Sequence, residues 1–178
     1  MNARFHFSYE PDWQEAPLAF WVHIPVPDAP SHFEPQAPNV TPHLGFRFLR
    51  FEFDQHELVF SSPSQLEHFI AVLNTTPLPT TRQLSAKRLT IAGPNGHWLS
   101  RLPAQLKAPK ARAKLVASLR WVQSVILGRN ETSAGPAPTD WPSLPHKKPV
   151  RENGAHTPIK VASKRDLHPF AVPRVEKR

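Results

Sequence analysis

Proline sets the first limit on this chain: 22 of its 178 residues are proline, against a usual share of about 5%. Proline fixes its own φ, lacks an amide hydrogen and pushes the preceding residue out of the helical region. It therefore stands at the ends of helices, in turns or on sheet edges. Apolar residues make up 39%, below the ~45–50% of a fully globular chain. A large part of the sequence is expected to stay out of any core.

The charge is divided along the chain. Residues 1–80 hold three basic side chains (Arg4, Arg47, Arg50) against nine acidic ones. Residues 81–128 hold nine basic side chains and no acid, and residues 129–178 ten basic and five acidic, for a net +8. No Asp or Glu stands between Glu67 and Glu131. Solvated surfaces normally mix both signs. A single-sign block of this length calls for an anionic partner, or for the acidic half of the same molecule, to complement it.

Hydrophobic periodicity supplies the elements. Phe5, Phe7 and Tyr9 alternate with polar neighbours, so residues 4–9 read as a half-buried strand. The apolar run 18–26 reads as a more central strand that Pro25 ends, and the proline-dense stretch 27–43 as a long loop. Residues 45–53 form a third strand, with Phe46 and Phe48 on one face and Phe51 and Phe53 on the other. The slip in phase at Leu49 implies a bulge or burial on both faces. A polar turn at 54–57 leads into a fourth strand at 58–61. Ser62 as cap, Pro63 in the first turn and Gln65 three residues on predict a helix over 62–73 that buries Leu66, Phe69, Ile70 and Leu73. Residues 84–93 fit either a short helix or a last strand through Leu89 and Ile91, and residues 97–102 a short helical segment. The clearest helix runs from Pro109 to Leu127, with Gly128 as its cap and Ala111, Leu115, Leu119, Val122 and Ile126 as one apolar stripe. Past Gly128 the periodicity ends, and residues 129–178 read as a flexible, proline-rich basic tail.

The expected fold is α+β. A small antiparallel sheet of three to four strands and a covering helix fill residues 1–80. A basic helical part, 81–128, belongs to the same domain, and a disordered C-terminal tail follows.

Several chemistries are excluded or find no support. With no cysteine, disulfides, thiolate zinc sites and cysteine nucleophiles are ruled out, and a reducing cytoplasm is the expected location. Residues 1–12 lack the apolar core of a signal peptide, and no run approaches the ~18 apolar residues of a membrane span. There is no His-x-x-x-His pair on a helix, no phosphate-binding Gly-Lys loop, no dinucleotide fingerprint and no nucleophile elbow. Glu52 and Asp54 share a strand face, but no Asp…Glu-x-Lys spacing accompanies them. Neither catalysis, cofactor nor metal is expected. A nuclease or nucleic-acid-modifying enzyme built from dispersed residues is the least favoured alternative.

Binding chemistry is better represented. Lys107, Lys110, Lys114 and Trp121 fall on one flank of the long helix. Lysines neutralise phosphates by releasing counterions, and an exposed indole stacks on an unpaired base. The same lysines also suit a solvated core edge, with Trp121 in the core. Arg112 and Arg120 take the opposite flank. In residues 93–103, Asn95-Gly96 places backbone amides at a helix start, and His97 and Arg101 share a face that suits a phosphate or base edge. Trp98 and Leu102 share another. The bland alternative is a turn and clamp between two elements.

Gly45, Phe46, Phe48 and Phe51 resemble the aromatic ribonucleoprotein motif of RNA-recognition domains, in which the aromatics stack bases. Leu44 stands where that motif has a basic residue, and Arg47 where it has a small one. The order of elements also differs, since that fold needs a helix between its first two strands. Phenylalanine alternation alone equally makes a sheet core.

The sequence thus favours a nucleic-acid-binding accessory or regulatory protein. Arg82, Lys87, Arg88, Arg101, Lys107, Lys110, Lys114 and Arg120 would contact DNA or RNA, with His97 and Trp98 beside them. The rival is a protein–protein adaptor with oppositely charged faces. In the tail, Leu167, Phe170, Val172 and Val175 interrupt a polar background and suit a protein partner. No membrane partner is expected.

Overall fold

The computed structural model describes residues 4–86, 96–128 and 139–142. Its strands are β1 (Arg4–Glu10), β2 (Ile24–Val26), β3 (Ala29–Glu34), β4 (Phe46–Phe53) and β5 (His56–Phe60). Its helices are α1 (Ala19–Val22), α2 (Pro63–Asn74), α3 (Thr81–Ala86), α4 (Ala104–Lys107) and α5 (Pro109–Leu127), with 3-10 turns at Trp13–Glu15 and Trp98–Ser100. The fold is α+β, as expected. Among the described residues no helix is long and apolar enough to cross a membrane.

The main sheet is antiparallel in the order β1-β4-β5. Register from Arg4 opposite Glu52 to Glu10 opposite Phe46 is unbroken, so the phase slip in β4 is not a bulge. Both faces of this strand are buried. Leu49, Phe51 and Phe53, with Phe60 of β5, enter the large core. Phe48 turns the other way and joins Trp13, Ala16 and Ala19, with Phe46 and Val59 at the margin. Asp54 and Gln55 make the β4–β5 turn with φ of 45° and 66°. Two left-handed residues give the turn whose twist matches the flanking strands. That turn also takes Asp54 off the strand face it was expected to share with Glu52.

Gly45 is fixed by its backbone. It has φ 93°, and a Cβ there would collide with the Glu10 carbonyl. Its agreement with the ribonucleoprotein motif therefore reflects a close strand approach. Phe48 and Phe51 are only 2% and 0% exposed, so neither is open to a base, and the implied stacking platform is absent from this sheet.

Two segments differ from the sequence expectation. Residues 18–26 were expected as a central strand; instead they form the helical turn α1 and then β2. Leu18, Ala19 and Val22 are buried at helical spacing while Phe20 faces out. The run is apolar without the alternation that a half-buried strand needs. The expected loop 27–43 contains β3, which pairs with β2 in a separate two-stranded sheet. Pro25 and Pro30 are tolerated there because each strand has an open edge.

Helix α2 forms as predicted. Ser62 Oγ accepts from the Gln65 amide at 3.3 Å, while Gln65 Oε1 accepts from the Ser61 amide at 2.8 Å. His23, at the end of α1, secures this corner. Its Nδ1 lies 2.8 Å from the Pro35 carbonyl and its Nε2 2.8 Å from Ser62 Oγ. The imidazole thus donates to the carbonyl and accepts from the hydroxyl, and burial lowers its pKa below the ordinary histidine value. Helix α5 also runs as predicted. Gly128 caps it at φ 60°, donating its N–H to the Ser124 carbonyl. Leu115, Leu119, Val122 and Ile126 share the core with α2 and the sheet.

Residues 139–142, read as part of the flexible tail, dock on the sheet. Trp141 is 6% exposed and meets Phe7 edge-on at 5.8 Å. Asp140 accepts from the backbone and side-chain amides of Asn39, and Arg47 donates to the Pro142 carbonyl. A large indole can bury against an aromatic strand without any periodicity around it. Lys87, Arg88, the Leu89–Ile91 alternatives and the tail residues Leu167, Phe170, Val172 and Val175 lie outside the described residues.

Candidate nucleic-acid interface

The solvent side of α5 is built by its spacing. With Leu115, Leu119, Val122 and Ile126 turned inward, a period of 3.6 residues places Lys110, Lys114, Trp121 and Val125 together on the outer side. Lys110 and Lys114 are exposed, and Trp121 and Val125 are 52% and 51% exposed. Trp121 is therefore not a core residue. Its ring is steadied by the edge-on contact with Phe5 of β1, at 6.1 Å between centroids and 72° between planes. The outer face of α5 thus combines two ammonium groups with a held, half-exposed indole.

Lys107 does not continue that face. Ala108 has φ −58° and ψ 136°, an extended conformation that separates α4 from α5. Lys107 ends the short helix, half-buried, while Arg120 is exposed on α5. Arg82 stands exposed in α3, which packs against the Trp98–Ser100 turn. Arg101 closes that turn through its backbone N–H to the Trp98 carbonyl and keeps its side chain exposed. It lines a cleft of about 280 Å³ with Leu58, Phe60, Trp98 and Leu102.

His97 and Trp98 are placed differently from the sequence expectation. His97 is 2% exposed and its Nδ1 accepts from the Leu99 amide at 3.1 Å, which makes it the cap of the 3-10 turn. Trp98 is 5% exposed and stacks on Phe69 at 4.6 Å, with its indole N–H directed to His68 Nε2 at 3.3 Å. Both belong to an aromatic cluster with Trp21 and His68. The expected pairing of His97 with Arg101 on one accessible face does not form. The bland alternative, a clamp between elements, describes this turn.

Electrostatics separates the two halves. Arg50 donates to Glu10 at 2.6 Å and to Glu57 at 2.8 Å, and its Nε donates to Ser8 Oγ at 2.8 Å. The bond from Arg50 lowers the Glu10 pKa below the ordinary carboxylate range, and Glu10 in turn raises that of Arg50. Asp12 caps the Trp13–Glu15 turn through the Gln14 amide at 2.9 Å. By contrast, Arg82, Arg101, Lys107, Lys110, Arg112 and Lys114 form no ion pair among the described residues. The N-terminal acids do not neutralise these cations there.

The spacing of α5 made its lysines legible. The docking of Trp141 and the engagement of Arg47, whose guanidinium lies 3.8 Å over the Phe7 ring, carried no local signal. No family model, curated protein or solved structure matches this chain.

Proposed function

We propose that the chain binds nucleic acid, as an accessory protein without chemistry of its own, through the cationic surface of residues 81–128. The observation that carries this reading is the outer face of α5. Lys110 and Lys114 meet no carboxylate among the described residues, and they share the outer side of the helix with an indole held half-exposed by Phe5. Phosphates supply the missing counter-charge, and the counterions they release favour binding. The indole offers a stacking surface to any base that is not already stacked in a duplex. Arg82, Arg101 and Lys107 extend the positive surface, and Arg120 adds to it. His97 and Trp98, both buried, support the turn from inside.

Anisotropy titrations with labelled single-stranded and duplex oligonucleotides test this. Affinity should fall by about 10³-fold or more between about 50 and 200 mM salt if some six phosphates are engaged. Replacing Lys110 and Lys114 by Glu should flatten that salt dependence by about one unit of slope per lost phosphate contact. Trp121→Ala should cost about 1–3 kcal/mol on single strands through the lost stack, with a smaller loss on duplex. Absence of binding to either oligonucleotide at low salt would sink the proposal.

A further inference from the structure

Away from the α5 lysines, a groove of about 540 Å³ opens beside α1 and the β2–β3 hairpin, walled by Trp13, Phe20, Ile24, Pro25, Pro30 and Phe33. Its floor is rigid. The Trp13 ring meets both Phe33 and His23 edge-on at 5.1 Å, and His23 is hydrogen-bonded on both nitrogens. Its rim is apolar and open, with Phe20 57% and Ile24 48% exposed. Scattered apolar residues on a surface need no explanation, but two large ones on a single aromatic groove mark a contact surface.

The charge around the groove points to its occupant. Between Arg4 and Arg47 the chain has no Lys or Arg, yet it carries Glu10, Asp12, Glu15, Asp28 and Glu34. The last four are exposed and flank the segments that wall the groove, and none has an ion-pair partner among the described residues. Surfaces built from aromatic rings and prolines accept polyproline-type segments, which are already extended and lose little entropy on docking. Acidic side chains in the segments that neighbour the groove favour basic segments of this kind by charge and repel acidic ones.

We propose that this groove docks an extended, proline-containing segment of a partner protein that carries Lys or Arg. An array of decapeptides of varied proline and charge content, probed with the full chain, provides the test. Anisotropy titration of the tightest binder and of its Glu-substituted counterpart follows. Peptides rich in Pro with Lys or Arg should be retained, and the Glu-substituted counterpart should not bind. Phe20→Ser with Ile24→Ser should weaken binding by about tenfold or more. Both residues lie at the surface, and a melting curve verifies that the variant folds. Asp28→Asn with Glu34→Gln provides an independent arm that should weaken binding several-fold and reduce its salt dependence. Lys110→Glu should leave peptide affinity unchanged, which separates this groove from the cationic face. The proposal is overturned if no peptide is retained, if acidic peptides bind equally, or if both groove variants bind as the parent does. It also fails if the full chain self-associates and the Phe20/Ile24 variant abolishes that association, because the groove would then belong to a second copy.

Discussion

In the sheet half of the molecule the basic side chain Arg50 is closed by carboxylates, while Asp12, Glu15, Asp28 and Glu34 stay exposed without an ion pair among the described residues. Arg50 reaches Glu10, Glu57 and Ser8 across three strands, and Asp12 caps a turn. In the helical half, Arg82, Arg101, Lys107, Lys110, Arg112 and Lys114 face solvent or lie half-buried with no carboxylate against them among the described residues. Yet both halves contribute to one apolar cluster, in which Phe51 and Phe60 of the sheet share a core with Leu115 and Leu119 of α5. The contrast is thus electrostatic, laid over a shared apolar core. Substitutions in the Arg50 network of the sheet half should read out as stability, and charge substitutions in the helical half as binding.

The shared core gives the largest expected effects. Phe51 and Leu119 are both fully buried. Phe51→Ala should cost about 3–5 kcal/mol and Leu119→Ala about 2–5 kcal/mol, from lost transfer energy and the cavity left behind. Because the two residues sit in one cluster, each variant should lower a single thermal transition followed by near-ultraviolet dichroism. Two separable transitions, each moved by only one substitution, would break the comparison by showing that the halves melt independently.

Legibility in the sequence follows the range of the interactions. The cap at Ser62, the stripe of α5 and the stop at Gly128 rest on contacts within one or two turns, and all stand where the spacing places them. Strand β4 was legible for the same reason, although only the structure separates burial on both faces from a bulge. The run 18–26 misled because it is apolar at nearly every position, so composition outweighed period. Leu18, Ala19 and Val22 show the helical spacing only once the exposed Phe20 is set aside. Segment 29–34 becomes a strand through pairing with β2, and Trp141 is buried by Phe7, far away in sequence. His97 and Trp98 looked like ligands because a turn that starts with His and Trp suits a phosphate and a base equally well. Their environment of Phe69, His68 and Trp21 is tertiary.

Next in size is the Ser62 corner. The Ser62 hydroxyl caps α2 and also faces His23 Nε2. Ser62→Ala should cost about 1–2 kcal/mol for the cap alone, and it leaves a buried ring nitrogen without its donor. Thr, which keeps the hydroxyl, should restore most of the loss in a denaturant titration. If Ala and Thr are equally destabilised, the hydroxyl is not the source.

The same corner predicts a pH dependence. Burial keeps the His23 pKa below its ordinary value, so the folded chain holds this imidazole neutral. The unfolded chain takes up the proton near pH 6.5. Above that pH His23 adds no slope. Below it, stability should fall by at most about 1.4 kcal/mol per pH unit until the lower folded pKa is reached. Glu10, held low by Arg50, adds its own loss only on further acidification through the carboxylate range. Denaturant midpoints from neutral pH to pH 5, compared between the parent and His23→Gln, isolate the histidine component. A parent and variant that run parallel would show that His23 does not carry it.

The smallest effect has the most discriminating sign. Lys110 lies in the first turn of α5, where the helix dipole disfavours a cation and where no acidic residue is present. It also stands four residues from Lys114, a like-charge spacing that costs a helix a few tenths of a kcal/mol. Lys110→Glu reverses both terms and should stabilise the fold by about 0.5–1 kcal/mol. The same substitution should weaken oligonucleotide binding and flatten its salt dependence. A chain selected for stability alone would gain by placing Glu at this position, so opposite signs for melting and affinity would tie the lysine to an anionic ligand. A rise in melting temperature with affinity unchanged would return Lys110 to an ordinary solvated surface and remove the sharpest difference between the two halves.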